Sequence, residues 1–310
     1  MSSSTQVASE PAVAAPPAVT HPGRPAWQRL LTFDNRYLAP ILITLILFFA
    51  NWFYGNLDNP DAPWMAWLTG GRITTFSPTF AAMLAAMATE LVLSRAFRGK
   101  WPHLASAYIS GISAGILVRG PLLWPFVLCA MISIASKYAL RIGPRHLWNP
   151  TNFGMTVMLF LAGDAMATLS VQTGNSYWAP IVIWIAGALI LGRLRRLHIP
   201  LAFAAAYFPL AYVRTLFTGD TYLAELAPLL SPMYQLYMCF MITDPPTTTR
   251  TVRSRCLVAV LVAVAETILR LNGDVHAPYH ALFIVGPAAN LVEIGVDACR
   301  KQAKLAMAVA

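Results

Sequence analysis

The stretch Asn149-Pro150-Thr151-Asn152 combines residue types that can build a binding site. Asparagine is a strong helix N-cap, and proline suits the first helical position because it has no N–H group to leave unpaired. A helix that begins here directs free N–H groups and the positive end of its dipole towards an anion or an electron-rich ring edge. With Lys137 just upstream, the pattern predicts a ligand site. The alternative is an ordinary capped helix beside basic residues that only orient the chain.

A second group of polar residues is Thr243-Asp244-Pro245-Pro246-Thr247. Two adjacent prolines end a helix and hold the following chain extended. They leave a carboxylate and several hydroxyls together at one helix end, which is more acceptor density than a simple connector needs. The alternative is a proline-terminated helix in which Asp244 pairs with Arg250 or Arg253.

Three carboxylates, Glu90, Glu266 and Glu293, lie inside otherwise apolar segments. An ionised carboxylate at membrane depth costs about 2.5 to 3.5 kcal/mol, so each is a candidate for an ion or proton relay. Glu266 lies deepest in its segment and is the strongest candidate. Glu90 and Glu293 lie near segment ends, where a side chain that reaches back to the interface is the alternative.

No metal site is predicted. His276 and His280 have helical i, i+4 spacing but no third ligand nearby, so hydrogen bonding at an interface is the favoured interpretation. The four cysteines show no CxxC spacing, and we expect buried free thiols rather than a disulfide framework or a zinc site.

The composition excludes an ordinary soluble domain. Apolar residues make up 57% of the 310 residues and charged residues only 11%, against about 25% in soluble domains. The net charge of +9 is divided among groups that flank apolar segments and forms no single patch. The predicted partner is therefore the lipid bilayer, and nucleic acid is not expected.

The apolar segments predict an all-α polytopic membrane protein with about ten transmembrane helices. In this arrangement most basic residues lie on the side of the two termini, which the positive-inside rule assigns to the cytoplasm. We expect a multi-pass protein of the bacterial inner membrane with both termini cytoplasmic. The predicted spans are 38–54, 78–97, 104–118, 122–140, 150–163, 178–192, 199–217, 227–243, 256–272 and 278–296.

The domain organisation follows from these spans. A membrane domain over residues 38–297 lies between a disordered cytoplasmic N-terminal tail, 1–37, and a cytoplasmic C-terminal tail, 298–310. The third span ends in Leu117-Val118-Arg119-Gly120-Pro121 and the eighth in Met241-Ile242-Thr243-Asp244-Pro245, each with a charged residue and a proline. Such correspondence predicts two inverted five-helix repeats, 38–163 and 178–297. The alternative is chance, because any helix end can have a charge and a proline.

The ordered set of motifs resembles a known family. Ser110-Gly111, Lys137, Asn149-Pro150, His198-Ile199-Pro200-Leu201-Ala202-Phe203 and Thr243-Asp244-Pro245 occur in the order seen in the RnfD and NqrB membrane proteins. The resemblance extends from about residue 78 to residue 297. It implies a ten-helix inverted repeat similar to urea transporters, a bound flavin and partner membrane redox subunits. The flavin-binding residues that it implies are Ser110, Gly111, Lys137, Asn149, Pro150, Asn152, Thr243, Asp244, Pro245 and Thr247.

One family feature is absent. Family members link FMN to a threonine in a Ser-Gly-Ala-Thr type motif between the fifth and sixth helices, whereas the sequence here, Ser170-Val171-Gln172-Thr173-Gly174-Asn175, does not match. The stretch Thr218-Gly219-Asp220-Thr221 is superficially similar but lies between the seventh and eighth helices, so the flavin is not assigned to Thr221. Covalent FMN is not expected, and non-covalent FMN or riboflavin is the predicted cofactor. In this respect the chain looks more like shortened relatives from enediyne gene clusters.

Three functions are therefore open. The first is flavin-linked electron transport in the membrane, coupled to ion movement. The second is a transporter or channel for a small solute or ion, because the fold alone does not decide function. The third is a membrane scaffold for a biosynthetic pathway. Whether the protein is an enzyme is left open.

Overall fold

The computed structural model of the chain describes residues 40, 41, 44, 45, 77–143, 145–168 and 178–309. Over these ranges the protein is a helical membrane protein with four very short strands. The predicted N-terminal tail, most of the first span and residues 169–177, which include the stretch compared with the FMN motif, lie outside the described residues.

Helices α1 to α4 form the first group of packed elements. They run over Ser77–Arg98 (α1), Ala105–Leu117 (α2), Trp124–Ala139 (α3) and Pro150–Leu161 (α4). Helix α1 packs against both α2 and α3, and α3 packs against α4. The approach of α1 to α2 needs a glycine, because a Cβ at Gly111 would lie 2.5 Å from Met83 Cα.

Two short antiparallel strand pairs close the loops of this group. Strand β1, Val118–Arg119, pairs with β4, Ala167–Thr168. Strand β2, Arg141–Ile142, pairs with β3, Arg145–His146. The second pair forms a tight hairpin whose Gly143 has a φ of +60°, a conformation that favours glycine. The hairpin leads directly into the first residues of α4.

Helices α5 to α10 form the second group. They are Trp178–Arg193 (α5), His198–Thr218 (α6), Tyr222–Leu230 (α7), Pro232–Leu236 (α8), Val252–Leu271 (α9) and Ala277–Val309 (α10). Helix α6 packs against α9, and α9 packs against α10. A π-helix, Tyr237–Met241, continues α8, and a 3-10 helix, Pro245–Thr247, follows it.

The helix bounds agree closely with most predicted spans, but two differences are clear. The predicted eighth span, 227–243, is not one helix: it is divided at Ser231 between α7 and α8, where Pro232 cannot donate a backbone hydrogen bond. Helix α10 also continues through residues predicted as a C-terminal tail. Its 33 residues span about 50 Å, more than the roughly 30 Å hydrocarbon core of a bilayer.

Among the described residues, three helices have the length and apolar composition needed to cross a membrane, namely Pro78–Arg98, His198–Thr218 and Ala277–Met307. Further apolar helices are shorter, and they include Ala105–Leu117 and Trp124–Ala139. The polar groups at the ends of such short helices need hydrogen-bond partners inside the protein wherever they are removed from water. The meeting of such ends defines the candidate site.

Candidate functional site: a polar cavity at the helix ends

A cavity of about 450 Å³ lies where α2, the start of α4 and the end of the π-helix meet. Five of the ten residues predicted to bind a cofactor line it. They come from both predicted repeats of the chain, and they are Ser110, Lys137, Asn149, Pro150 and Asp244.

One face of α2 forms a wall of the cavity. Ser106, Ser110 and Ser113 follow the helical repeat, so their side chains share a face. Apolar residues at the same periodicity extend this wall, and they are Ile109, Ile116 and Leu117. The wall therefore offers hydroxyls together with an apolar surface, which is the usual lining of a small-molecule site.

Asn149 begins α4 as predicted and also joins the two halves of the site. Its side-chain oxygen accepts a hydrogen bond from the backbone N–H of Asn152 at 3.0 Å. Its amide Nδ2 donates to the carbonyl of Met241 at 3.3 Å, at the end of the π-helix. One side chain thus caps a helix and fixes the helix end that faces it across the cavity.

The π-helix determines which residues of the opposite wall face the cavity. Its wider turn is closed by a bond from the Ile242 N–H to the Tyr237 carbonyl at 3.2 Å. Leu236, Phe240 and Met241 line the cavity just before Asp244. Short π-helical segments are frequent at functional sites because they shift side-chain register locally. This shift was not visible in the sequence.

Lys137 is the buried cation of the site, with 7% of its surface exposed. Its Nζ donates to Glu90 Oε2 at 3.3 Å and to Ser106 Oγ at 3.1 Å. The hydroxyl of Tyr138 donates to the other oxygen of Glu90 at 2.7 Å. Glu90 is therefore held by a buried ion pair behind the cavity wall.

Asp244 is the carboxylate that faces the cavity. Its Oδ2 accepts a hydrogen bond from the Thr247 hydroxyl at 3.0 Å. Within the described part of the chain it forms no ion pair, so the alternative in which it pairs with Arg250 or Arg253 is wrong; Arg250 pairs with Asp297 at 2.7 Å instead. Burial raises the pKa of Asp244 to about 6, although Thr247, Lys137 and Arg196 oppose that rise.

His146 lines the cavity from the β2–β3 hairpin. Burial, together with the charges of Arg141 and Lys137, lowers its pKa to about 4. Its imidazole is therefore neutral at physiological pH, and among the described residues its Nδ1 has no hydrogen-bond partner. No role was predicted from the sequence for His146, nor for the lining residues His103, Ser106 and Ser113. The seven-residue spacing of the two serines on either side of Ser110 was the available signal.

The other predicted cofactor-binding residues do not line this cavity. Gly111 packs against α1. Asn152 donates to the Tyr279 carbonyl at 3.0 Å, and Thr243 donates to the Cys239 carbonyl at 2.5 Å. Pro245 begins the 3-10 helix, and Thr247 hydrogen-bonds to Asp244. These residues support the walls of the cavity instead of facing it.

A separate cluster holds the loops that border the cavity. Arg145 forms an ion pair with Glu293 and donates to the Thr248 carbonyl at 2.9 Å. Asn290 donates to the carbonyls of Leu147 at 3.0 Å and Thr247 at 2.8 Å. Helix α10 therefore ties the hairpin before α4 to the segment after the π-helix. The ion pair with Arg145 accounts for a carboxylate at position 293.

Glu266 belongs to a third cluster. It is 0% exposed and pairs with Arg270 at 2.8 Å. The Tyr234 hydroxyl, 2.8 and 2.7 Å from the two carboxylate oxygens, donates its one hydrogen to this carboxylate. Thus the three candidate relay carboxylates lie in three different clusters, and no hydrogen bond between described residues joins any two of them. Only Glu90 contacts a residue of the cavity.

The histidines and cysteines form no metal site in the described ranges. His280 pairs with Asp274 at 2.6 Å and His276 contacts the Thr168 hydroxyl at 2.8 Å, both near the start of α10. The four cysteines are free thiols, but only two are buried: Cys256 is half-buried and Cys299 is exposed, which corrects the expectation of uniform burial.

Comparison with known proteins gives a distant relationship. The chain matches no protein-family model. It is similar to the RnfD component of the ion-translocating oxidoreductase complex of Haemophilus influenzae strains PittEE and PittGG, each 33% identical over 102 residues. The aligned region is 32% of this chain and 28% of the relatives. The chain therefore spans less than a third of the length of the curated relatives it matches, and it is distantly related to RnfD.

Proposed function

We propose that this chain is an integral membrane protein of flavin-linked electron transport, similar to RnfD, and that the cavity binds a flavin non-covalently. The observation that supports this most directly is the position of Ser110, Lys137, Asn149, Pro150 and Asp244 around one cavity. These residues are far apart in the sequence. The ordered set of sequence motifs assigns them to one site without any information about the cavity. The names of the distant relatives, which are oxidoreductase components, point in the same direction.

The lining residues fit a flavin. The volume is within the range of about 300 to 1,000 Å³ that small-molecule pockets have. Ile109, Phe240 and Met241 offer apolar surface for a flat ring system. Ser110 and Asn149 offer hydrogen-bond donors for its polar edge. When bound, a flavin supplies one- and two-electron transfer, and the protein supplies position and electrostatics.

The architecture that we propose is a pair of inverted repeats in the inner membrane, with both termini cytoplasmic. Corresponding contacts support it: α1 packs on α3 and α3 on α4, as α6 packs on α9 and α9 on α10. In such folds, helix ends from both repeats meet at a central ligand site. The partners would be the bilayer and other membrane redox proteins, which would exchange electrons with the cavity.

Spectroscopy of the purified protein tests this function. The full chain is expressed with added riboflavin, purified in detergent and examined by visible absorption and fluorescence. We expect bound flavin that is released on denaturation, since the covalent acceptor is missing. Ser110→Ala is expected to lower riboflavin affinity by about tenfold, the effect of losing roughly 1.4 kcal/mol. Glu266→Gln is the matched control and should keep the affinity. Absence of flavin from the wild-type protein, before and after reconstitution, would refute the proposal.

The Glu266 cluster favours a second function, movement of an ion or small solute across the membrane. Two carboxylates and two arginines lie in this region, in the pairs Arg214–Glu225 and Glu266–Arg270. Arg214 and Glu266 are buried, and their partners are half-buried. Buried charges inside membrane proteins are frequent in transport pathways. Flux into liposomes with wild-type protein and with Glu266→Gln tests this function, and unchanged flux in the variant would remove Glu266 from any pathway.

A further inference from the structure

We infer that the cavity binds a phosphate monoester together with one proton, with the phosphate against Lys137 and the proton on Asp244. The inference rests on the cavity used for the proposed function, but it does not require a flavin. The ligand chemistry is shared by FMN, by other phosphate esters and by inorganic phosphate. Calorimetry with different ligands separates these sources.

Lys137 provides the positive side of the site. An ammonium group has three N–H donors. Two of them go to Glu90 at 3.3 Å and Ser106 at 3.1 Å, and Lys137 lines the cavity. Among the described residues no further acceptor bonds this nitrogen, so its third donor is available to an anion that enters. The neutral His146 ring, whose Nδ1 is unpaired among the described residues, and the hydroxyls of Ser110 and Ser113 offer further polar contacts.

A doubly charged anion placed beside the Asp244 carboxylate favours uptake of a proton by that carboxylate. Lys137 and Glu90 neutralise each other, which leaves Asp244 as a negative charge on the cavity wall. A phosphate monoester has a charge of about −1.5 to −2 at neutral pH. Two like charges in one partly dehydrated cavity raise the pKa of the carboxyl group. A protonated Asp244 would also become a hydrogen-bond donor to a phosphate oxygen.

Asp244 is the group most suited to take up this proton. The pKa of its carboxyl group is already about 6, so a modest additional shift makes it neutral. Glu90 keeps its ion pair with Lys137 and its hydrogen bond from Tyr138. The pKa of His146 is about 4, well below neutral pH.

Four other charged or titratable side chains lie near the cavity, and their positions and contacts are as follows. His103 lies at the cavity edge on the segment before α2. Arg98 stacks on Tyr138 behind Glu90, with its guanidinium carbon 4.7 Å from the ring centre. Arg141 lies on the hairpin and acts on His146. Arg196, from the segment between α5 and α6, donates to the Thr243 carbonyl at 3.3 Å and favours the charged form of Asp244.

Isothermal titration calorimetry of the full chain in detergent tests the inference. FMN, riboflavin and inorganic phosphate are titrated above pH 7 in buffers that differ in ionisation enthalpy, because the phosphate is then almost fully dianionic. We expect FMN binding to take up about one proton and its affinity to fall about tenfold per pH unit. Riboflavin binding should take up none. Asp244→Asn should bind FMN without proton uptake and without this pH dependence, whereas the matched carboxyl-to-amide control Glu266→Gln should behave as wild type.

The outcomes separate this inference from the proposed function. Proton uptake that persists in Asp244→Asn, or equal affinity for FMN and riboflavin in both wild type and Lys137→Met, overturns the inference. If riboflavin binds and the phosphate adds nothing, the flavin function stands and the inference fails. If phosphate binds with a proton but no flavin binds, the inference stands and the flavin function fails. Should Asp244→Asn not fold, Thr247→Val replaces it: removal of the hydroxyl that favours ionised Asp244 should shift the pH dependence of uptake to higher pH.

Discussion

The cavity and the Glu266 cluster both bury charged side chains, but they differ in what those charges contact. In the Glu266 cluster both carboxylate oxygens accept hydrogen bonds from neighbouring side chains. In the cavity, Lys137 has a donor to spare, Asp244 has no ion pair among the described residues and His146 has an unpaired nitrogen. Burial of charge alone therefore does not mark a ligand site. Burial combined with incomplete partnering beside a cavity does.

The largest loss of stability should come from a substitution of Arg214, which lies beside the Glu266 cluster. Arg214 is 1% exposed, pairs with Glu225 at 2.5 Å, donates to Thr267 at 3.1 Å and lies 4.5 Å from the centre of the Tyr207 ring. Arg214→Met leaves Glu225 without its partner, which typically costs about 3 to 5 kcal/mol. We expect a large fall in Tm, measured by thermal unfolding in detergent. Riboflavin affinity measured well below that Tm should not change, and a parallel loss of affinity would show that the two regions are coupled.

In the cavity, substitution of the charged residue Asp244 by Asn should raise Tm instead of lowering it. The pKa of Asp244 rises from 3.8 to about 6 on folding, so the folded state holds this proton more tightly than the unfolded state. Its contribution to stability is greatest at low pH and is lost as the pH rises from 3.8 through about 6. The loss is at most about 3 kcal/mol.

Asp244→Asn cannot undergo this loss. The variant should therefore have a higher Tm than wild type at about pH 8, with the difference shrinking towards about pH 4. A Tm difference that stays constant over this pH range would mean that Asp244 does not titrate there.

A smaller loss of stability is expected from a substitution of Arg145, which anchors the loops that border the cavity. Arg145→Gln removes the ion pair with Glu293 and the bond to the Thr248 carbonyl. Hydrogen bonds to charged groups are worth about 1.5 to 3 kcal/mol. Because the loops that border the cavity lose a common anchor, riboflavin affinity should fall along with Tm.

The matched control lies on the helix that holds Glu293. Asp297→Asn removes the exposed pair with Arg250, which should cost only about 0 to 1 kcal/mol. Equal losses of affinity in the two variants would argue against a specific role for Arg145.

The sequence predicted the helical elements well, because apolar segments and proline-containing ends leave clear local signals. Asn149 as the cap of α4 is one such signal, and the structure confirms it. The division of the eighth span was missed, although Pro228 and Pro232 both lie within it, because the run is apolar throughout. The π-helix was also missed, since it depends on packing around Phe240 and Met241 and has no residue signature of its own.

The partners of the charged residues could be predicted only in part. Pairing of Asp244 with an arginine close in the sequence was the alternative interpretation, yet Arg250 reaches Asp297 on α10 instead. Lys137 and Glu90 were both singled out, but not as partners, because 47 residues separate them. Pairings of this kind depend on tertiary contacts, which residue spacing does not report.

Riboflavin titration of a filled-cavity variant tests the flavin site most directly. Ser110 lies on the cavity wall with 6% of its surface exposed, so Ser110→Leu should occupy the space with little change elsewhere. Quenching of riboflavin fluorescence is measured for wild type and variant, with Tm as the check on folding. We predict saturable quenching by the wild-type protein and none by a folded Ser110→Leu protein. Equal binding by both proteins, or none by either, would contradict a flavin site in this cavity.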